Sequence, residues 1–380
     1  MKLGILEPAA IAGMLLFALA NAPGAAADDD PVVAAFSEGR AALSGQKAKS
    51  ASTPERQLGL VGGRLESTRG ARVEGRNVNA SSLALRFSGG SAEKNVAYET
   101  KHLLAPEKAR RTRRTAVWFG GDVTLDSERA ESPRLAAVYS NGLAFGVDTR
   151  FGPRLLVGNA VGMAFDRTGI GTSGSLETRS LSDTLYASLT TARNTYLDVM
   201  LGASRYAFHD ELAAASISAG RRSASQAFGL ARFSRQFERN RLRLRSYGQA
   251  RYRHTRLSGY AMRGEETYSV EPYTSGSLEL TAGLRGETVA RTRIGRLAPH
   301  AVLEVSRSLK RTSGTVMTSV DGAEEVAAPS SGHSGKLSAR TGLNWTITDR
   351  ASINGEYSLS SAFDDPDVKQ RVTARFKLTF

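Results

Sequence analysis

Cysteine is absent from all 380 residues, which excludes disulfide scaffolds, thiolate zinc sites, iron–sulfur clusters and cysteine nucleophiles together. After Ala27 there is also no run of the 18 or so uncharged apolar residues that a membrane-spanning helix requires. Catalytic signatures are equally scarce. His102, His209, His254, His300 and His333 are scattered, with neither an H-E-x-x-H pair nor a G-x-S-x-G elbow in the chain. Gly169, Gly171 and Gly174 fit G-x-G-x-x-G in spacing, but they fall between strand patterns and not in a βαβ turn, so no nucleotide site is expected. His209-Asp210-Glu211 reads as a solvated loop. No enzymatic activity, metal or cofactor is expected.

The N-terminus does carry one apolar segment. Lys2, the stretch Ala9 to Ala27 and Ala25-x-Ala27 ahead of Asp28-Asp29-Asp30 have the form of a cleaved secretory signal. Ala20-x-Ala22 offers a competing cleavage site, and Glu7 is out of character for the n-region. An exported chain with no helical span is either a soluble protein or a β-barrel, and periodicity must decide between them.

The net charge of +14 first raises nucleic acid as a partner. The excess is spread along the chain, however, apart from one cluster at Arg110, Arg111, Arg113 and Arg114. No aromatic residue interleaves that cluster, so it lacks the stacking platform of a single-strand binder. Nucleic acid is not an expected partner.

From Thr115 onward the apolar pattern has period two. In RVTARFKLTF, Val372, Ala374, Phe376, Leu378 and Phe380 alternate with polar residues over ten positions, the length of one bilayer-crossing strand. The same alternation marks strands near 116–125, 143–151, 154–165, 181–190, 195–208, 223–238, 241–256, 277–289, 300–309, 336–348, 351–361 and 370–380. Twelve is an even number, so an antiparallel sheet can close without free edges. Connections alternate between tight ones (Gly152-Pro153, Asn240, Asp349-Arg350) and long polar ones at 166–180, 209–222, 257–276 and 310–335.

A soluble β-sandwich also alternates, but its core would not hold the column of Arg241, Arg243, Arg245, Arg251 and Arg253 on one strand face. A water-filled lumen accommodates such a column. The same parity turns Asp122, Asp148, Arg150, Asp198, Glu279, Glu304 and Glu356 inward. Two irregularities stand out: Asn159 falls on an apolar face, and 223–238 is apolar on both faces, which predicts a bulge.

These residues carry a family likeness. Trp118 opening the first strand after a basic linker, the run SNGLAFGVDTRFGPRLLVGNAVGMAFDR at 140–167, the Tyr186…Tyr196-Leu197-Asp198…Leu201-Gly202 segment, Pro299 opening AVLEVSRSL, and the terminal Phe380 together resemble the translocator barrel of autotransporters, the type V secretion systems. The likeness covers the C-terminal 265 or so residues. It implies an all-β, twelve-stranded antiparallel transmembrane barrel with an α-helix in the lumen, located in the bacterial outer membrane. The implied division is a signal peptide at 1–27, a short, disordered passenger or remnant at 28–91, a lumenal helix and linker at 92–114, and a barrel at 115–380.

Over 28–91 the chain itself shows only a weak helical pattern at Val32–Ala48 and no repeat of the solenoid kind. The resemblance further implies that Phe376, Leu378 and Phe380 form a signal read by the barrel-assembly machinery, and that the arginines at 110–114 meet inward carboxylates. No Asn-Asn pair lies in 92–114, so self-cleavage by the family's lumenal route is not expected. Implied partners are outer-membrane lipid, lipopolysaccharide, periplasmic chaperones and the assembly machinery, with the barrel a monomer. The alternative function is an adhesin or surface-binding barrel that uses its long loops.

Overall fold

The computed structural model describes residues 31–69, 80–89, 94–98, 114–127, 138–170, 174–211, 220–239, 242–263, 267–293, 295–313, 316–320, 323–327, 331–348, 351–363 and 365–378. The expected signal peptide and the arginines at 110, 111 and 113 therefore lie outside the described residues. One helix, α1 (Pro31–Ser67), precedes the strands β1 (Ala80–Gly89), β2 (Lys94–Tyr98), β3 (Thr115–Ser127), β4 (Val138–Phe151), β5 (Leu155–Ile170) and β6 (Gly174–Ala192). There follow β7 (Thr195–Glu211), β8 (Gly220–Arg239), β9 (Leu242–Leu257), β10 (Tyr260–Arg263), β11 (Thr267–Val270), β12 (Tyr273–Thr288) and β13 (Ala290–Thr292). The chain continues through β14 (Gly295–Ser313), β15 (Val316–Val320), β16 (Ala323–Ala327), β17 (Ser331–Thr348), β18 (Ala351–Ala362) and β19 (Asp365–Leu378).

Twelve strands in the order β3-β4-β5-β6-β7-β8-β9-β12-β14-β17-β18-β19 pair antiparallel, each with its neighbours in the chain's own sequence of long strands. They coincide one for one with the period-two segments. They run 12 to 20 residues, longer than a bilayer crossing needs. Consequently β5 and β6 extend through most of the expected 166–180 loop, and His209-Asp210-Glu211 ends β7 instead of standing in a loop. The connections after β9 and β14 contain their own four-stranded sheet, β10-β11-β15-β16.

The turns at 152–154 and 193–194 fall on one rim, where only two residues separate β8 from β9 and β17 from β18, and the β9–β12 and β14–β17 excursions fall on the other. The two-residue turn between β6 and β7 is possible because Asn194 takes φ 59°, a region that asparagine tolerates and most residues avoid. At the ends of the antiparallel run stand β1 and β2, side by side. β1 is parallel to β3 and β2 is parallel to β19, and among the described residues no ladder joins β3 to β19 directly.

The alternation separates two environments. On the outer face Leu143, Phe145, Val161, Leu185, Leu201 and Leu303 are all exposed, Leu185 by 60% and Leu201 by 62%. A continuous apolar exterior of this kind is unfavourable in water and favourable in lipid. No described helix is long and apolar enough to cross a membrane. Asn159 sits on this outer face and donates to Asp183 Oδ1 at 2.7 Å, so each polar group satisfies the other.

Two expectations are corrected. No bulge interrupts 223–238, because the ladders of β8 with β7 and with β9 keep one register throughout. Its inward apolar residues, Phe228 and Leu230, are there because they touch α1. Within the segment 92–114, expected as the lumenal helix, Lys94–Tyr98 is strand β2, laid on the edge of β19, and 99–113 lies outside the described residues. The helix is α1, drawn from the segment expected to be disordered.

The division of faces is testable. Leu185→Arg places a charge midway along the outward residues of β6 and should lower the barrel's stability by about 2–4 kcal/mol. Ser306→Arg, on the inner face of β14, should change it far less. Urea unfolding of the lipid-inserted barrel, followed by heat-modifiable gel mobility, reads both.

Candidate functional site: a helix clasped inside the barrel

An isolated helix of α1's composition would be marginal in water, because it is rich in Ala, Gly and Ser and carries Pro54 near its middle. The inner wall of β3–β8 compensates in three ways. Leu58, Val61 and Leu65 form a stripe on one helix face and pack against Trp118, Leu156, Ala160, Tyr186, Met200 and Phe228. Proline has no N–H to give to the carbonyl four residues back, so the Ser50 carbonyl loses its helical partner. Gln226 Nε2 supplies a replacement at 2.8 Å, and Arg253 Nη1 donates to the next carbonyl, Ala51 O, at 3.0 Å. Gln226 is itself fixed by Tyr206 Oη, which donates to its Oε1 at 2.6 Å, and by its own amide's bond to Thr255 Oγ1.

The third contribution is a ladder of buried charge. Near the rim that carries the long excursions, Gln46 donates to Asp210 and accepts from Arg222 Nη1 at 2.8 Å. Arg222 lies over the rings of Tyr260 and Tyr273. Midway, Lys49 and Arg56 approach Asp166 at 3.5 and 3.4 Å. Towards the short-turn rim, Arg64 grips Asp148 with two bonds, Nε to Oδ2 at 2.7 Å and Nη2 to Oδ1 at 2.9 Å, both side chains almost wholly buried. Below it Arg69 pairs with Asp198, which also accepts from Ser188. Arg150 Nη2 donates to Thr68 O at 2.9 Å, satisfying a carbonyl just past the helix end.

Asp148 is further held from the barrel side. Trp118 Nε1 donates to Tyr186 Oη at 2.6 Å, and Tyr186 Oη donates to Asp148 Oδ2 at 3.0 Å. Each ring lies against a glycine of an adjacent strand, and the two meet edge to face with centroids 6.4 Å apart. A Cβ on Gly146 would fall 2.4 Å from the Trp118 indole, and one on Gly158 would fall 2.4 Å from the Tyr186 ring. These glycines make room for the relay, which holds the carboxylate from the barrel side.

The remaining inward residues are distributed as follows. Arg245 pairs with Glu66 at 2.7 Å, and Arg251 lies 3.5 Å from Glu55 and 3.3 Å from Glu279, so β9 reaches α1 from the opposite side. Arg243 stays among strand residues, 2.9 Å from Glu238 and 3.7 Å from Glu287. Glu304 accepts from Arg340 at 2.8 Å and from Tyr247, and Glu356 faces His300 at 3.4 Å. Asp122 lies on β3 opposite Gly142, and Phe376 and Leu378 lie on β19 opposite Ile353 and Ala351, with their side chains outside the described residues. Arg241 and Phe380 lie wholly outside them. Arg114 contributes its carbonyl, which accepts from Arg150 N at 2.8 Å.

Cations of a helix do meet inward carboxylates: among the described residues they are Lys49, Arg56 and Arg64 of α1, with Arg69 just past its end. Lys49, Arg56 and Arg64 recur at intervals of seven and eight residues, one helix face, which is the signal in the sequence that marks them. Asp166 and Asp210 keep inward parity once their strands are extended to the observed lengths. Among the described residues no group of His, Cys, Asp or Glu could hold a metal.

Removing one partner of the buried pair leaves the other charged and alone. Arg64→Met should therefore cost about 3–5 kcal/mol, whereas Arg64→Met with Asp148→Leu should cost less than the sum of the two single changes. Denaturant melts of α1 in the double-mutant cycle, followed by proteolysis of the helix, check this.

The autotransporter beta-domain family model matches residues 118–358. Among solved structures, the beta domain of the Bordetella autotransporter BrkA is 19% identical, over 62% of this chain and 88% of that one, with a TM-score of 0.43. The translocator domain of NalP from Neisseria meningitidis is 17% identical, over 61% and 77%, with a TM-score of 0.39. The transport unit of AIDA-I from Escherichia coli is 11% identical, over 73% and 94%, with a TM-score of 0.34. No curated relative matches the chain. With the family model covering β3 into β18 and the apolar exterior in place, the chain belongs to the autotransporter beta-domain family, the barrels of the Gram-negative outer membrane.

Proposed function

We propose that this barrel exports or displays its N-terminal segment, and that α1 is the tether left in the lumen when export ends. The observation that carries the reading is the direction of α1. Gln46 meets the end of β7 and the start of β8, at the rim of long connections, and Arg64 and Arg69 meet residues beside the short turns. In outer-membrane barrels short turns face the periplasm and long loops face outward. Whatever precedes α1 thus leaves through the outer rim, as an exported segment must.

Residues 31–67 serve in this reading as the tether and not as exported sequence. Phe376, Leu378 and Phe380 act in this reading as the signal read by the assembly machinery, and α1 docks after the wall has formed. Outer-membrane lipid, lipopolysaccharide and periplasmic chaperones are the further partners of a monomeric barrel. An adhesin barrel without an export role is not favoured, because it gives α1 nothing to do.

An epitope placed before Pro31 should bind antibody on intact cells. Binding only after the outer membrane is permeabilised would reverse the direction of α1 and contradict export. Deleting residues 31–67 should raise single-channel conductance in planar bilayers, with heat-modifiable mobility confirming that the barrel still assembles.

A further inference from the structure

α1 does not fill the lumen. It leans on β3–β8, and on the other side a cavity of about 460 Å³ opens between the helix and β9, β12, β14 and β17. A second space of about 170 Å³ shares Glu55, Arg251 and Glu279 with it and continues towards the long-loop rim past Arg253, Ser277 and Lys310. From the level of Arg245 and Arg285 to that of Arg253 and Ser277 is eight residues of paired strand, roughly 26 Å along the strand and about 18–21 Å along the membrane normal at the usual barrel tilt, most of the height of the apolar band. The two spaces together make a lane beside the helix.

Its lining is strongly one-signed. Nine cationic side chains face the two spaces against four carboxylates, Glu55, Glu66, Glu279 and Glu304. Each carboxylate is already engaged, Glu66 by Arg245 and Arg232, Glu55 and Glu279 by Arg251, and Glu304 by Arg340. Among the described residues no carboxylate pairs with Arg253, Lys310 or Lys336, and Arg245 Nε and Arg251 Nε find no acceptor. Fixed cations along a narrow low-dielectric passage raise the local concentration of anions and exclude cations.

We propose that this lane is an anion path, so that the barrel conducts small inorganic anions in preference to cations with α1 still in place. The inference rests on the barrel and the seated helix, and it stands whether or not the N-terminal segment is exported. Lys310 and Lys336 are suitable for the test because changing them strands no paired carboxylate.

The folded full-length chain in planar bilayers under a potassium chloride gradient should show a reversal potential of the sign for chloride preference. Lys310→Glu with Lys336→Glu should move that potential towards or beyond zero, and Lys310→Gln with Lys336→Gln should move it part of the way. Inorganic tripolyphosphate should reduce the wild-type current and reduce that of the Glu variant less. A reversal potential of the opposite sign, one that the substitutions leave unchanged, or an inserted, heat-modifiable barrel that carries no current would overturn the proposal.

Discussion

The buried contact between Arg64 and Asp148 sets the terms for the interior. Two charges removed from water must each find complete partnership, and an arginine fork on a carboxylate does so only in one relative position. The relay from Trp118 through Tyr186 holds Asp148 in place on the wall, so the contact fixes both the depth and the rotation of α1. Once those are fixed, Leu58, Val61 and Leu65 face the apolar part of the wall and the carbonyls exposed by Pro54 face Gln226 and Arg253. The helix is a poor one by its own sequence and a well-supported one in its setting.

This setting divides the lumen. The β3–β8 half carries the small and aromatic residues and the aspartates that receive a helix, and the half from β9 to β17 carries most of the lane's arginines and lysines along with Glu279 and Glu304. Part of the chain's cationic excess is thereby placed where water and ions can answer it, on the inner surface of β9 to β17.

The strands were legible because lipid outside and polar lumen inside enforce period two at nearly every position, as 370–380 shows without interruption. The helix was much less legible. Its neighbours include Asp166, Asp148 and Asp198, so α1 spreads its favourable contacts over polar and apolar faces and shows no broad apolar stripe. Pro54 also breaks its pattern in the middle, which is why only Val32–Ala48 reads as weakly helical. The basic run at 110–114 drew attention away from α1, since it adjoins β3 as a family linker would. The apparent bulge in β8 has the same origin: Phe228 and Leu230 violate alternation only when the helix they touch is left out.

The absence of cysteine makes the central claim, that α1 occupies the lumen against β3–β8, directly measurable. A Cβ on Gly62 would lie 3.8 Å from the Met200 terminal methyl. In membranes holding the assembled barrel, Gly62→Cys with Met200→Cys should therefore be joined by a short bifunctional thiol reagent, and the helix should stay attached after the chain is cut between α1 and β1. Failure of that pair to join, in a heat-modifiable barrel where a cysteine pair across the β6–β7 ladder does join, would place α1 outside the lumen and contradict the account.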